Sequence, residues 1–121
     1  MRRIARRAHN VMMNENYADV EPGRAEIDTR KEPVMIEFGS PWCGHCRAAQ
    51  ALITVALEKH PGVHHIKIAD GAGRPLGRSF RIKLWPTLIF LHDGAEKCRL
   101  VRPVDANMIA DALAMIDVAG G

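Results

Sequence analysis

Two cysteines three residues apart, Cys43 and Cys46, are the residues of this sequence whose type and spacing are best suited to chemistry. They lie between an apolar segment and a segment with helical periodicity, where a strand turns into a helix. In a first helical turn this spacing can bring two sulfurs within bonding distance with little backbone strain. The free N–H groups of the helix N-terminus favour a thiolate at Cys43, whereas Cys46 should be more buried. The pair therefore indicates thiol–disulfide exchange, with Cys43 as the nucleophile and Cys46 as the resolving thiol.

A cysteine pair can also contribute to a zinc site, and His60, His64 and His65 are the candidate further ligands. None of them has a standard ligand spacing. His64 and His65 are consecutive on a predicted strand, so only one of the two can face inward. We interpret the three histidines as solvated surface residues and expect no metal site.

The elements that must position the cysteines begin with an extended segment at Tyr17–Val20 and a helix from Pro22 to Thr29. The run Val34–Phe38 is typical of a central strand covered on both faces. Helical periodicity follows from Cys43 to Lys59. The apolar stripe of this helix consists of Ala49, Leu52, Ile53, Ala56 and Leu57, and its polar side of Arg47, Gln50, Thr54 and Glu58.

The second half predicts a strand at Val63–Ala69, a short helix at Arg74–Phe80 and a strand at Thr87–Leu91. Asp93-Gly94 indicates a hairpin into a last strand, Ala95–Val101. Asp105 caps a final helix whose predicted buried face consists of Met108, Ile109, Ala112, Leu113 and Ile116. The order β-α-β-α-β-α-β-β-α predicts an α/β fold, one mixed sheet with helices on both faces.

From about Val34 to Ile116, roughly two thirds of its length, the chain resembles the thioredoxin family. The matching segments are the strand VMIEF, the motif PWCGHC, Trp85-Pro86 followed by Thr87, and the Asp-Gly hairpin. The Cys-Gly-His-Cys sequence is more similar to the motif of protein disulfide isomerase domains than to the Cys-Gly-Pro-Cys of ordinary thioredoxins.

The resemblance implies roles for further residues. Pro86 corresponds to the family's cis proline, which packs against the disulfide. Glu37 matches the buried carboxylate beneath the active site, where it would accept the proton of Cys46, and Lys67 is its candidate charge partner. The expected substrate groove consists of Trp42, Gly44, His45, Trp85, Pro86 and Thr87.

The chain departs from the family pattern at three positions. Ala51 replaces a proline that commonly kinks the helix, and Arg102 replaces the glycine that usually lines the partner groove after the last strand. Trp85 is aromatic where a β-branched residue is common. A charged, aromatic rim of this kind suggests a narrower set of substrates than that of a general thioredoxin.

The length of 121 residues suits one domain. We expect a flexible basic N-terminal extension over residues 1–15 and a thioredoxin-like domain over residues 16–121. Four N-terminal arginines account for the net charge of +3, and the rest of the chain carries −1, which argues against nucleic-acid binding. No apolar run could span a membrane. The chain shows no secretory signal and only three cysteines, which favours a cytoplasmic location, with Cys98 as a half-buried packing residue.

These observations together predict a protein-disulfide oxidoreductase that exchanges dithiol and disulfide through a mixed disulfide on Cys43. The Cys43–Cys46 pair is the redox group, so no other cofactor is implied. The expected partners are protein disulfide substrates and a recycling reductase or oxidant, and the protein is expected to be a monomer. The alternative is a thioredoxin-like adaptor or holdase module without redox turnover.

Overall fold

The sheet is built around β1 (Val34–Gly39), a strand in which every residue is buried. In the computed structural model, which describes residues 16–117, β1 pairs in parallel with β2 (His64–Ala69). On its other side β1 pairs antiparallel with β3 (Thr87–His92), which in turn pairs antiparallel with β4 (Ala95–Val101). The order β2-β1-β3-β4 gives one mixed four-stranded sheet. Because β1 is central and fully covered, its carboxyl end is a rigid base for the cysteine motif that follows.

Helices cover both faces of the sheet, as the sequence predicts. On one face lie α1 (Arg24–Asp28) and α3 (Pro75–Ser79), which contribute Ile27 and Leu76 to one hydrophobic cluster. On the other face α2 (Gly44–Glu58) and α4 (Ala106–Ile116) pack over Met35, Leu88 and Phe90. This arrangement buries the sheet on both sides and leaves the start of α2 at the edge of the domain.

Two short sequence motifs, Asp93-Gly94 and Asp105, adopt the turn and the helix cap that the sequence predicts. Asp93 and Gly94 have φ angles of 54° and 77°, as a tight turn between β3 and β4 requires. Asp105 accepts a hydrogen bond from the backbone N–H of Asn107 at 2.8 Å and caps α4.

Some sequence-based expectations need correction. The segment Tyr17–Val20 is not a strand: it bends at Asp19 and Val20, and its one backbone hydrogen bond to another element within residues 16–117 runs from Ala18 N–H to the carbonyl of Lys67. Met108 is exposed, whereas the rest of the predicted apolar face of α4 is buried. Residues 1–15, where a basic extension is predicted, and residues 118–121 lie outside the described part of the chain.

Within residues 16–117, no helix combines the length and apolar character that crossing a membrane requires.

Candidate active site

The turn between β1 and α2 places Cys43 at the start of the helix. Buried Ser40 fixes this turn: its hydroxyl accepts from the N–H of Trp42, and its carbonyl accepts from the N–H of Cys43, both at 3.1 Å. Cys43 has extended backbone angles and is the N-cap residue. Its Sγ accepts a hydrogen bond from the backbone N–H of Cys46 at 3.2 Å. The sulfur of Cys43 therefore does what a serine or aspartate oxygen does at other helix N-termini.

The surroundings of Cys43 favour its thiolate. Both motif cysteines are free thiols in the structure, and Cys43 is only partly buried. Desolvation acts to raise the pKa of Cys43. This effect of desolvation is outweighed, and the pKa of Cys43 is lowered. The causes are hydrogen bonds from the Cys46 side chain and from the backbone of Cys46 and His45, and the charge of Arg102. Cys43 is thus the more acidic thiol of the pair.

Alkylation should report this difference directly. We expect iodoacetamide to modify Cys43 with a pH inflection below that of a free cysteine, about 8.5, because only the thiolate reacts. The Cys98→Ser variant removes the third thiol and should give the same curve for Cys43. Mass spectrometry of the Cys43 peptide follows the alkylation at each pH. An inflection at or above the free-cysteine value would contradict the assignment of Cys43 as nucleophile.

Cys46 lies one turn further along α2 and is almost fully buried, as the sequence predicts. It packs against Gly39 so closely that a Cβ at that glycine would lie 2.6 Å from the Cys46 Sγ. Desolvation, followed by the hydrogen bond and charge of Cys43, raises the pKa of Cys46 to about 12. Cys46 is therefore the less acidic thiol of the pair.

Glu37 is a fully buried carboxylate beneath the cysteines, held at both oxygens. Its Oε1 lies 2.9 Å from Nε2 of His65, and its Oε2 accepts from Nε2 of Gln50 at 2.7 Å. The Gln50 amide also donates to the carbonyl oxygen of Cys46 at 2.9 Å, and its Oε1 accepts from Lys67 Nζ at 3.0 Å. Gln50 thereby connects Glu37 to both Cys46 and Lys67. The charge of Glu37 contributes to the raised pKa of Cys46.

Three members of this buried polar cluster were not identified from the sequence. The helical pattern predicts Gln50 on the polar side of α2, but Gln50 is half-buried and contacts Glu37. The Tyr17 hydroxyl lies beside Cys46 and Gly39, and Lys67 Nζ lies 4.7 Å from the centre of its ring. Desolvation, then the charges of Cys46, Glu37 and Cys43, raises the pKa of Tyr17. His65 is the third.

The expectation that the histidines are solvated surface residues is wrong, since none of the three is fully exposed, and His64 is half-buried with a pKa lowered by desolvation. His65 is buried, because it faces α2 beside Met35 and pairs with Glu37. His60 is largely buried, with its Nδ1 2.7 Å from Asp117 Oδ2. Between residues 16 and 117 no group of three or more His, Cys, Asp or Glu is arranged to hold a metal ion. Cys98 is half-buried as expected, and burial, followed by the charge of Glu96, raises its pKa.

The residues of the predicted groove divide into exposed and buried members. Trp42 is 86% exposed, and Gly44 and His45 are also exposed. The Trp85–Pro86 peptide bond is cis, and Thr87 is buried at the start of β3. The carbonyl oxygen of Trp85 lies 3.9 Å from Cys43 Sγ, while its indole N–H donates to Asp70 at 3.0 Å. The cis-proline segment therefore borders the Cys43 sulfur directly.

Arg102 lies beside the same carbonyl. Its Nε donates to Trp85 O at 2.8 Å, and its backbone N–H donates to Pro86 O at 2.9 Å. Its φ of 50° is in the left-handed region, which costs a non-glycine residue on the order of 1 kcal/mol. The position after β4 thus has a backbone suited to glycine and a charged side chain next to the site.

Comparison with known proteins agrees with this geometry. The family model for thioredoxin matches residues 15–115. Among solved structures, thioredoxin 2 from Pseudomonas aeruginosa PAO1 in its reduced form is 46% identical in sequence. That match covers 87% of this chain and 97% of the other, with a TM-score of 0.77.

Two curated relatives match over shorter stretches. Protein disulfide isomerase-like 1-4 of Arabidopsis thaliana is 39% identical over 74 residues, which are 60% of this chain and 12% of that protein. Thioredoxin H-type of Oryza sativa subsp. indica is 29% identical over 68 residues, 56% of each chain. The match thus spans little more than half of the second relative and a small part of the first. The cysteine pair, the cis proline and the mixed sheet are arranged as described above. Because the thioredoxin family model also covers most of its length, the chain belongs to the thioredoxin family.

Proposed function

We propose that this protein is a thiol–disulfide oxidoreductase that acts on protein disulfides through a mixed disulfide on Cys43. In the first step the Cys43 thiolate attacks one sulfur of a substrate disulfide. A bond forms between Cys43 Sγ and that sulfur, the substrate S–S bond breaks, and the other substrate sulfur leaves as a thiolate that takes a proton from water.

In the second step Cys46 resolves the mixed disulfide. The Cys46 thiol passes its proton to the Glu37 carboxylate and attacks Cys43 Sγ. A bond forms between the two cysteine sulfurs, the bond to the substrate breaks, and the second substrate sulfur leaves as a thiolate that takes a proton from water, while Glu37 releases its proton to water. Two electrons have then moved from the protein dithiol to the substrate, and a Cys43–Cys46 disulfide remains. A dithiol reductant resets the pair, and each step can also run in reverse as oxidation of a substrate dithiol.

The difference between the two thiols carries this proposal. Cys43 is partly exposed, caps a helix and has a lowered pKa, while Cys46 is buried with a pKa raised to about 12. Such a pair has one sulfur ready to attack and one that reacts only after activation. The names of the relatives, a protein disulfide isomerase and thioredoxins, support the same activity.

Reduction of insulin in the presence of dithiothreitol tests the proposal. The wild type should accelerate the appearance of turbidity, because it transfers electrons from dithiothreitol to the insulin disulfides faster than dithiothreitol alone. Cys98→Ser should behave as the wild type does. No acceleration by the folded wild type would contradict the proposed activity and favour an adaptor or holdase module.

A further inference from the structure

A cleft of about 370 Å³ lies directly beside the cysteine motif. Its floor is mainly apolar, and only two of its lining side chains, His45 and Arg102, are polar or charged. The apolar lining residues are Ala48, Ala49, Leu52, Pro103 and Val104. Val104 is 84% exposed, so apolar surface is available for contact there. The cleft is thus suited to a short segment with an apolar part and a group that pairs with a cation.

Arg102 has unused hydrogen-bonding capacity facing this cleft. Among the described residues its guanidinium makes one hydrogen bond, from Nε to the carbonyl of Trp85. A guanidinium carries five N–H donors in a planar fork that matches a carboxylate. Arg102 is exposed, which leaves the N–H groups of its two terminal nitrogens for a ligand. The bond to Trp85 O also holds the guanidinium near Cys43, whose pKa it helps to lower.

The positive charge around the site is local. Residues 16–117 contain thirteen basic and thirteen acidic residues, so this part of the chain is neutral as a whole. A second depression, of about 240 Å³, is lined by the side chain of Trp85 together with Arg74, Arg78 and Lys83. Among the residues that line the two depressions, the single carboxylate is Asp70, and it accepts from the Trp85 indole. The rim of the site therefore has a basic field that complements an acidic partner.

We propose that the cleft beside Cys43 binds an acidic segment of a protein disulfide substrate, with Arg102 as the group that recognises its carboxylate. This inference rests on the proposed function and specifies its substrate class. The carboxylate binds the terminal nitrogens of Arg102, an adjacent apolar side chain contacts Leu52 and Val104, and the substrate disulfide faces Cys43. Arg102 acts here as a specificity-determining residue and takes no part in the transfer of electrons.

The test measures kcat/KM for the reduction of three disulfide peptides. The peptides are identical except at one position next to a cysteine, which is Glu, Gln or Lys. Each kcat/KM is divided by the rate at which dithiothreitol reduces the same peptide, which removes the effect of the charge on intrinsic reactivity. The wild type should prefer Glu over Gln by about threefold at low ionic strength, as expected for an exposed ion pair, and Gln over Lys by a similar factor. The preference should decline in 1 M salt.

The variants separate Arg102 from the general charge of the protein. Arg102→Gly should reduce all three peptides at similar normalised rates, and it should fold, since glycine adopts a φ of 50° without strain. Arg102→Glu should prefer Lys. Lys97→Gln removes one exposed charge of β4 outside the cleft and should keep the wild-type preference.

Three results would overturn the inference. An unchanged preference for Glu in Arg102→Gly would show that Arg102 does not recognise the carboxylate. If Arg102→Gly slows the reduction of oxidised glutathione more than the reduction of the Glu peptide, the cleft binds a small carboxylate-bearing disulfide instead of a protein segment. Failure of the wild type to reduce any of the peptides would contradict the proposed function itself, and this inference with it.

Discussion

Replacement of Cys43 with serine is expected to lower the rate of disulfide reduction by at least about a thousandfold, because a hydroxyl is not ionised at neutral pH and cannot replace the attacking thiolate. Replacement of Cys46 with serine should have a different result. The first step still takes place, but no thiol remains to release the substrate. Cys46→Ser should therefore accumulate mixed disulfides on Cys43.

The two variants are best compared by mass spectrometry after incubation with a disulfide-bonded protein. Cys46→Ser should carry the substrate on Cys43, and Cys43→Ser should carry almost none, because Cys46 is buried and this burial raises its pKa. Cys98→Ser is the matched control, since it removes a half-buried thiol outside the site. Equal trapping by the two motif variants would show that the roles of the cysteines are wrongly assigned.

Glu37→Gln should slow the release of substrate from the mixed disulfide by about a hundredfold at pH 7, the lower end of what a positioned proton acceptor contributes. In the mixed disulfide Cys46 remains buried, and burial, the largest cause of its raised pKa, leaves few Cys46 thiols ionised at pH 7 without such an acceptor. The defect should become smaller as the pH rises, because a growing fraction of Cys46 then ionises without help from Glu37.

The direction of this effect separates proton transfer from simple electrostatics. The charge of Glu37 raises the pKa of Cys46, so its removal should by itself make Cys46 easier to ionise and the second step faster. A slower Glu37→Gln variant therefore indicates a lost acceptor, and a faster one would contradict that role. Stopped-flow measurement of the second step against pH gives the answer. Glu58→Gln, at an exposed position of α2, is the matched control.

The parts of the site that depend on local sequence could be predicted. The position of Cys43 at the start of α2 and the burial of Cys46 one turn later follow from their spacing at a strand-to-helix junction. The burial of Glu37 follows from its place in an apolar strand with neighbours on both sides. Capping by Asp105 and the Asp93-Gly94 turn are likewise properties of a few consecutive residues.

The surroundings of Glu37 could not be predicted in the same way, because they depend on how separate elements meet. His65 pairs with Glu37 only because β2 aligns Met35 with His65 and Glu37 with Lys67, and a shift of one residue would turn both polar side chains to the other face. A signal was nevertheless present: His65 and Lys67 alternate with apolar Ile66 and Ile68. Gln50 follows Cys46 by four residues and so shares its helix face.

The hydrogen bond from the Cys46 N–H to Cys43 Sγ connects the stability of α2 to the reduction potential of the protein. A disulfide sulfur is a weaker acceptor than a thiolate, so oxidation should weaken the N-cap, by about 1 kcal/mol if the cap is of ordinary strength. In the thermodynamic cycle that joins folding and oxidation, stability lost by the oxidised form alone raises the reduction potential, by about 20 mV for ~1 kcal/mol. A substitution that strengthens this cap only in the dithiol form would therefore make the protein a stronger oxidant without changing either cysteine.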